Sequence, residues 1–166
     1  DVIVRDDVSK LWDEAAITDA HPFAAARHIY FGPMYFRKPL THFRAGLKIR
    51  RPFNSGMFVT DARAWAHGPK DRIQDILAWD ETHDFKLFGL QDEPILNLAF
   101  TEYFELSARW NRCGYGNQPW VARLLKKPLE DMSVIHWSGG HNKPWSDKTV
   151  AYADEWWAYD KGPFTT

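Results

Sequence analysis

The chain has 166 residues, one cysteine and a formal net charge of -1. That length suits one domain with a real core, and the near-neutral charge offers no basic field to nucleic acid. The lone Cys113 excludes an intrachain disulfide, and no apolar run reaches the ~18 residues of a membrane-spanning helix.

The sequence opens on Asp1 inside an apolar run, "DVIV", which reads as the end of a strand and as a piece of something longer. "RDDVSKLWDE" follows as a short helix, with Asp7 as cap and Val8, Leu11 and Trp12 facing inward. Residues 13 to 50 stay ambiguous, with "HIYFGPMYF" a strand candidate broken by Gly32 and Pro33. "FNSGMFVTD" reads as a buried strand entered through a tight Asn-Ser-Gly turn. "DARAWAHG" and "PKDRIQDILAWDETH" are two helical pieces; Pro69 suits the first turn of the second, with Ile73, Ile76 and Leu77 as its apolar stripe.

"QDEPILNLAFTEYF" predicts a helix capped by Asp92, with Pro94 in its first turn and Ile95, Leu96, Leu98 and Ala99 inside. "ELSARW" and "MSVIHW" are strand candidates, and "DKTVAYADEWWAYDKG" closes the chain as an amphipathic helix ending near Gly162. The alternation of periods argues for an α/β mixture. "KIRR" and "LKK" read as solvated charge. Nine Trp, eleven Phe and six Tyr supply core area, and aromatic rings also stack on sugar faces.

Four stretches carry candidate chemistry, each with a plain structural alternative. His136 ends an apolar strand; it is either a hydrogen-bonded core histidine or a ligand for a divalent ion, with oxygen ligands from elsewhere. In "SGGHNK", Gly139 and Gly140 let backbone N–H groups approach an anion and Lys143 adds a point charge; the alternative is an ordinary turn. Pro144 and Trp145 would stiffen and wall it. Asp92 and Glu93 open a helix, either as cap and dipole partner or as carboxylates aimed into a cleft. Asn54, with Gly56 beside it, is either a turn residue or an amide that reads sugar hydroxyls.

The order of these stretches is more specific than any one of them. "DVIVRDDVSKLWD", "FNSGMFVTDARAWA", "QDEPILNLAF", "WN" at 110 and 111, and "VIHWSGGHNKPW" together resemble the C-terminal part of a glycosyltransferase of family 8, from residue 1 to about residue 146. The resemblance implies a GT-A fold, an α/β arrangement with a mixed, mostly parallel sheet flanked by helices. It implies retaining transfer of a hexose-type sugar from a UDP-sugar donor to a hydroxyl of a carbohydrate or glycoconjugate acceptor, with Mn2+ or another divalent cation on the diphosphate. Asp1 falls at the second aspartate of the family's Asp-x-Asp motif and His136 at its second metal-binding element. Lys143 and Gly139 or Gly140 match the phosphate-contacting loop. Asn54 matches a donor-sugar contact in an element that includes Gly56, and Asp92 with Glu93 an Asp-Gln pair beside the reacting carbon. On this reading residues 1 to 166 form a single partial domain, the N-terminal nucleotide-binding half is missing, and the piece alone is inactive.

Three departures accompany the match. His136 and Lys143 stand one residue further apart than is usual in the family, Glu93 replaces Gln, and Pro94 replaces an Asp. A carboxylate at position 93 would stabilise an oxocarbenium-like state, or act as nucleophile, more strongly than an amide. The rival expectations are a lectin-like binding module, a metal-dependent hydrolase and a scaffold of the same family that has lost catalysis.

Overall fold

The computed structural model describes residues 1–19, 21–28, 32–38, 49–66, 68–114, 129–159 and 162. "LKK", Lys48 of "KIRR" and residues 29 to 31 of "HIYFGPMYF" lie outside these. The chain forms two compact units, one of Asp1–Val8 with Ser107–Thr166 and the other of Ser9–Leu106.

The second unit is built on strands β2 (Phe23–Arg27), β3 (Phe53–Thr60) and β4 (Phe104–Leu106), in the order β3-β2-β4. β2 pairs antiparallel with β3 and parallel with β4. The central strand reads "FAAAR", with Phe23 and Ala24 to Ala26 all buried. Small side chains on both faces let neighbours pack closely, and alanine's poor strand preference hid this strand in the sequence.

β3 departs from a plain strand where a turn was expected. Its register on β2 runs from Phe23↔Thr60 to Ala25↔Phe58, then shifts, so that Arg27 faces Phe53. At that irregularity Asn54 Oδ1 accepts from the Gly56 N–H at 2.9 Å. The Asn-Ser-Gly turn thus exists as a local side-chain turn inside the strand, not as its entrance.

Helices α1 (Val8–Ala15), α2 (Ala62–Trp65), α3 (Pro69–Glu81) and α4 (Glu93–Ala99) complete this part of the order. α1 buries Leu11 and Ala15, whereas Val8 and Trp12 are exposed, contrary to expectation. The buried stripe is a single i, i+4 row, too narrow to take in Val8 and Trp12. α3 half-buries Ile73, Ile76 and Trp79 and leaves Leu77 exposed. Asp80 takes an inward position instead, its Oδ1 accepting from the Leu87 N–H at 2.9 Å.

α4 is anchored by a polar residue at its core. The side chain of Asn97 is buried and forms two bonds with one peptide segment: Oδ1 accepts from Phe53 N–H at 2.9 Å and Nδ2 donates to Phe53 O at 2.8 Å. The same Nδ2 reaches Glu93 O at 2.8 Å. Asn97 therefore pairs with β3 as a neighbouring strand would. Around this join pack Phe23, Phe53, Leu96, Phe100 and Tyr103, with Phe23 and Phe100 stacked at 4.2 Å.

In the first unit β1 (Val2–Val4) pairs antiparallel with β5 (Val134–His136), placing Val2 opposite His136. Trp137 N–H donates to Asp1 O at 3.0 Å and prolongs the ladder, and Arg112 forms a parallel bridge to Ile135 on the other side. The "ELSARW" stretch is divided: Phe104–Leu106 is strand and Ala108–Trp110 a 3-10 turn. Ile3, Met132, Ile135, Trp137, Val150 and Ala153 form the core beneath α5 (Ala153–Tyr159). The expected closing helix is shorter than its pattern because residues 148 to 152 form turns and a bend. Asp6 is tied to Arg109 at 2.7 Å and to the Ser133 hydroxyl at 3.0 Å.

Asn97→Ala leaves the Phe53 N–H and C=O buried without partners. It is expected to cost about 2–4 kcal/mol, read as a lower urea midpoint. An unchanged midpoint would show that the join is not needed.

Candidate functional site

The first cluster is held by the β1–β5 ladder. The pairing of Val2 with His136 brings Asp1 beside the histidine, Oδ1 lying 3.3 Å from His136 Nε2. His136 is buried, and its Nδ1 lies 2.8 Å from Asn111 Oδ1. An amide oxygen only accepts, so Nδ1 carries the proton and Nε2 presents a lone pair towards the carboxylate. Burial, reinforced by the Lys143 ammonium, pushes this imidazole down to about 4, so it is neutral at physiological pH.

A lone pair facing a carboxylate is a pairing that a cation completes. Lys143 supplies one such charge: Nζ donates to Asp1 Oδ2 at 2.5 Å and also to Trp137 O. Its ammonium lies 5.7 Å from the centre of the exposed Trp145 ring. One imidazole nitrogen and one carboxylate oxygen, with the histidine oriented by a second-layer amide, fit a divalent ion such as Mn2+. Among the described residues no three His, Cys, Asp or Glu side chains gather to hold a metal, so these two would be part of a larger ligand set.

The loop after β5 separates the two glycines by conformation. Gly139 has φ 95°, a left-handed geometry that a side chain rarely adopts. Gly140 is exposed, with open space where a Cβ would stand. The turn itself therefore requires Gly139.

The second cluster is held by α4 and β3. Glu93 is buried, and its Oε2 accepts from Asn54 Nδ2 at 2.7 Å. Its Oε1 has no well-formed hydrogen bond, though His28 Nδ1 lies 3.5 Å away and the Tyr35 hydroxyl acts on the same carboxyl. Tyr35 OH is itself 3.5 Å from His28 Nδ1. Burial pushes the Glu93 carboxyl up to about 7, against the opposing bonds from Tyr35, the Ser55 backbone and Asn54.

Asp92 occupies the N-cap position of α4 but its side chain makes no capping bond, which corrects the expected cap. Its backbone is helical (φ -80°, ψ -24°), not the extended form that swings a cap oxygen over the first turn. Leu90 and Gln91, both left-handed, enter the helix from an unusual direction. Asp92 remains exposed, and its charge contributes to raising Glu93.

The structure therefore groups Asp1, His136 and Lys143 in one cluster, and Glu93 and Asn54 in another. Gly56 is joined to the second through the amide of Asn54. Sequence reasoning missed His28 and Tyr35, which fall in the ambiguous stretch, and Asn111, quoted in a motif without a role. The readable signal for Asn111 is a polar residue directly after a buried Trp110.

Comparison with known proteins adds an independent finding. The family model for glycosyl transferase family 8 matches residues 1–149. General stress protein A of Bacillus subtilis (strain 168) is 27% identical over 174 residues, covering 96% of this chain and 55% of that protein. Probable galacturonosyltransferase-like 4 of Arabidopsis thaliana is 28% identical over 172 residues, covering 96% and 48%. The chain thus spans about half the length of these relatives. In fold it is similar to the glycosyltransferase GlyE in Streptococcus pneumoniae TIGR4, with a TM-score of 0.63 and 23% identity over 98% of this chain and 37% of that one.

The buried Glu93 carries a stability signature. Its folded value near 7 lies above the ordinary 4.5. Between those limits the folded state keeps a proton that the unfolded chain releases, so stability falls as pH rises, by about 3 kcal/mol across the window. Glu93→Gln is expected to be the more stable protein above pH 7 and to lose that advantage towards pH 4.5. Urea unfolding at three pH values reads this; parallel profiles for the two proteins would contradict it.

Proposed function

Because the chain belongs to glycosyl transferase family 8, we propose that the protein it represents transfers a hexose-type sugar from a UDP-sugar to a hydroxyl of a carbohydrate or glycoconjugate, with retention. The observation that carries this reading is the convergence of Asp1 Oδ1, the Nε2 lone pair of His136 and the Lys143 ammonium around one carboxylate. Asp1 and His136 would hold Mn2+ or a similar divalent ion, which when bound supplies positive charge against the two phosphates.

The chain's own residues do the rest. Lys143 places an ammonium against the diphosphate, neutralising charge that grows as the bond from the sugar's anomeric carbon to the phosphate oxygen breaks. The acceptor oxygen forms its bond to the same face of that carbon and its proton is lost to the medium. A diphosphate leaves without a strong general acid, so orientation supplies much of the remaining barrier reduction. Gly139 lets the loop backbone approach the phosphates, with Gly140 next to it. Asn54 and Gly56 serve the donor sugar, and Asp92 and Glu93 the reacting carbon. Near neutrality Glu93 is divided between acid and carboxylate, and its protonated form offers hydrogen-bonding close to that of the Gln it replaces.

A second reading, a carbohydrate-binding scaffold of the same family without catalysis, is favoured by Pro94. It is buried where the resemblance implies an Asp, which removes one polar contact.

The two readings part in a transfer assay on the full-length protein with a panel of UDP-sugars. His136→Ala is expected to abolish metal-dependent transfer and Glu93→Gln to alter the rate; an inert scaffold shows no turnover and no response to either. Asn111→Ala, which frees the imidazole to rotate, is expected to weaken Mn2+ binding about 10- to 100-fold, measured by titration with electron paramagnetic resonance of free Mn2+. Unchanged affinity would remove Asn111 from the site.

A further inference from the structure

Asp1 has two carboxylate oxygens, and they face different partners. Oδ1 faces the Nε2 lone pair of His136 at 3.3 Å, and Oδ2 accepts from Lys143 Nζ at 2.5 Å. Lys143 is further bound to Trp137 O, so its ammonium is held at Asp1 by two acceptors. Its side chain is only 13% exposed. The charge is thus held close to the pair that would bind a divalent ion, well inside a Debye length of it.

From this we propose that Lys143 competes with the metal for Asp1, and that a diphosphate relieves the competition by drawing the ammonium onto its own oxygens. The proposal rests on the metal and donor reading given above. Lys143 then does more than bind phosphate: it couples the two ligands. A divalent ion arriving alone meets a carboxylate half-used by an ammonium and a positive charge beside it. When a diphosphate takes Lys143, Oδ2 is released and the repulsion is offset by the phosphate charge. By linkage, metal bound at Asp1 displaces Lys143 towards the diphosphate and favours its binding by the same factor. With neither ligand bound, Lys143 keeps the Asp1 carboxylate paired.

The sign of one measurement separates this role from a structural one. If Lys143 only props Asp1 in place, removing it weakens metal binding. If it competes, removing it tightens metal binding. The test is Mn2+ titration of the full-length protein without nucleotide, comparing wild type, Lys143→Met and Lys143→Arg, with circular dichroism to confirm folding. The expected result is that Lys143→Met binds Mn2+ about 3- to 10-fold more tightly, while Lys143→Arg, which keeps the charge, stays near wild type. Lys143→Met should at the same time bind UDP more weakly in metal-free buffer. Unchanged or weaker Mn2+ binding by Lys143→Met, with wild type binding normally, overturns the competition and leaves the metal reading standing. Absence of Mn2+ binding by all three proteins overturns both.

Discussion

One buried amide holds the larger unit together at the point that matters. Asn97 pairs with both backbone groups of Phe53 and with the carbonyl of Glu93, one helical turn earlier. The helix start and the strand start are thereby locked to each other. Glu93 then meets Asn54, the residue directly after Phe53. The contact between Glu93 and Asn54 follows from this join, and the aromatic cluster around Phe23 and Phe100 seals it from water. Low dielectric strengthens such a bond and makes its loss costly.

The same device appears at the other cluster with a different result. There an asparagine amide, Asn111, accepts from a histidine instead of bridging backbone. It selects one tautomer of His136 and thereby points a lone pair at Asp1. In both places an uncharged amide positions an ionisable group, and burial sets its protonation. Near Glu93, desolvation outweighs the donated bonds and the carboxyl is held partly protonated. Near His136, desolvation and a neighbouring cation act together and the ring stays neutral. Burial disfavours the charged form in each case, and charge type sets the opposite directions.

Several elements were readable because their signal is local. Pro69 does stand at the start of α3, and Pro94 in the first turn of α4. The apolar run before His136 forms the buried strand β5. The failures have equally local causes. β2 is alanine-rich, so its strand character comes from being sandwiched and not from its side chains. Leu77 and Trp12 extend apolar patterns that the packing does not use. Asp92 has the right residue type for a cap but the wrong backbone, because the preceding pair is left-handed.

The sequence by itself determined the α/β class, the order of the motifs and, through that order, the family to which the chain belongs. It also named Asp1, His136, Lys143, Asn54 and Glu93 as the residues to watch, since chemistry depends on residue type and motif order survives in a linear string. Only the tertiary structure decided what each of them touches. A strand register brought Asp1 to His136 across more than a hundred residues of chain, and a lysine in a glycine loop returned to the same carboxylate. His28, Tyr35, Asn97 and Asn111 gain their meaning from neighbours distant in sequence, and pairwise contacts of that kind leave no periodic trace. The opposite protonation tendencies of Glu93 and His136 belong there too, because they depend on burial, which a sequence implies only after it has folded.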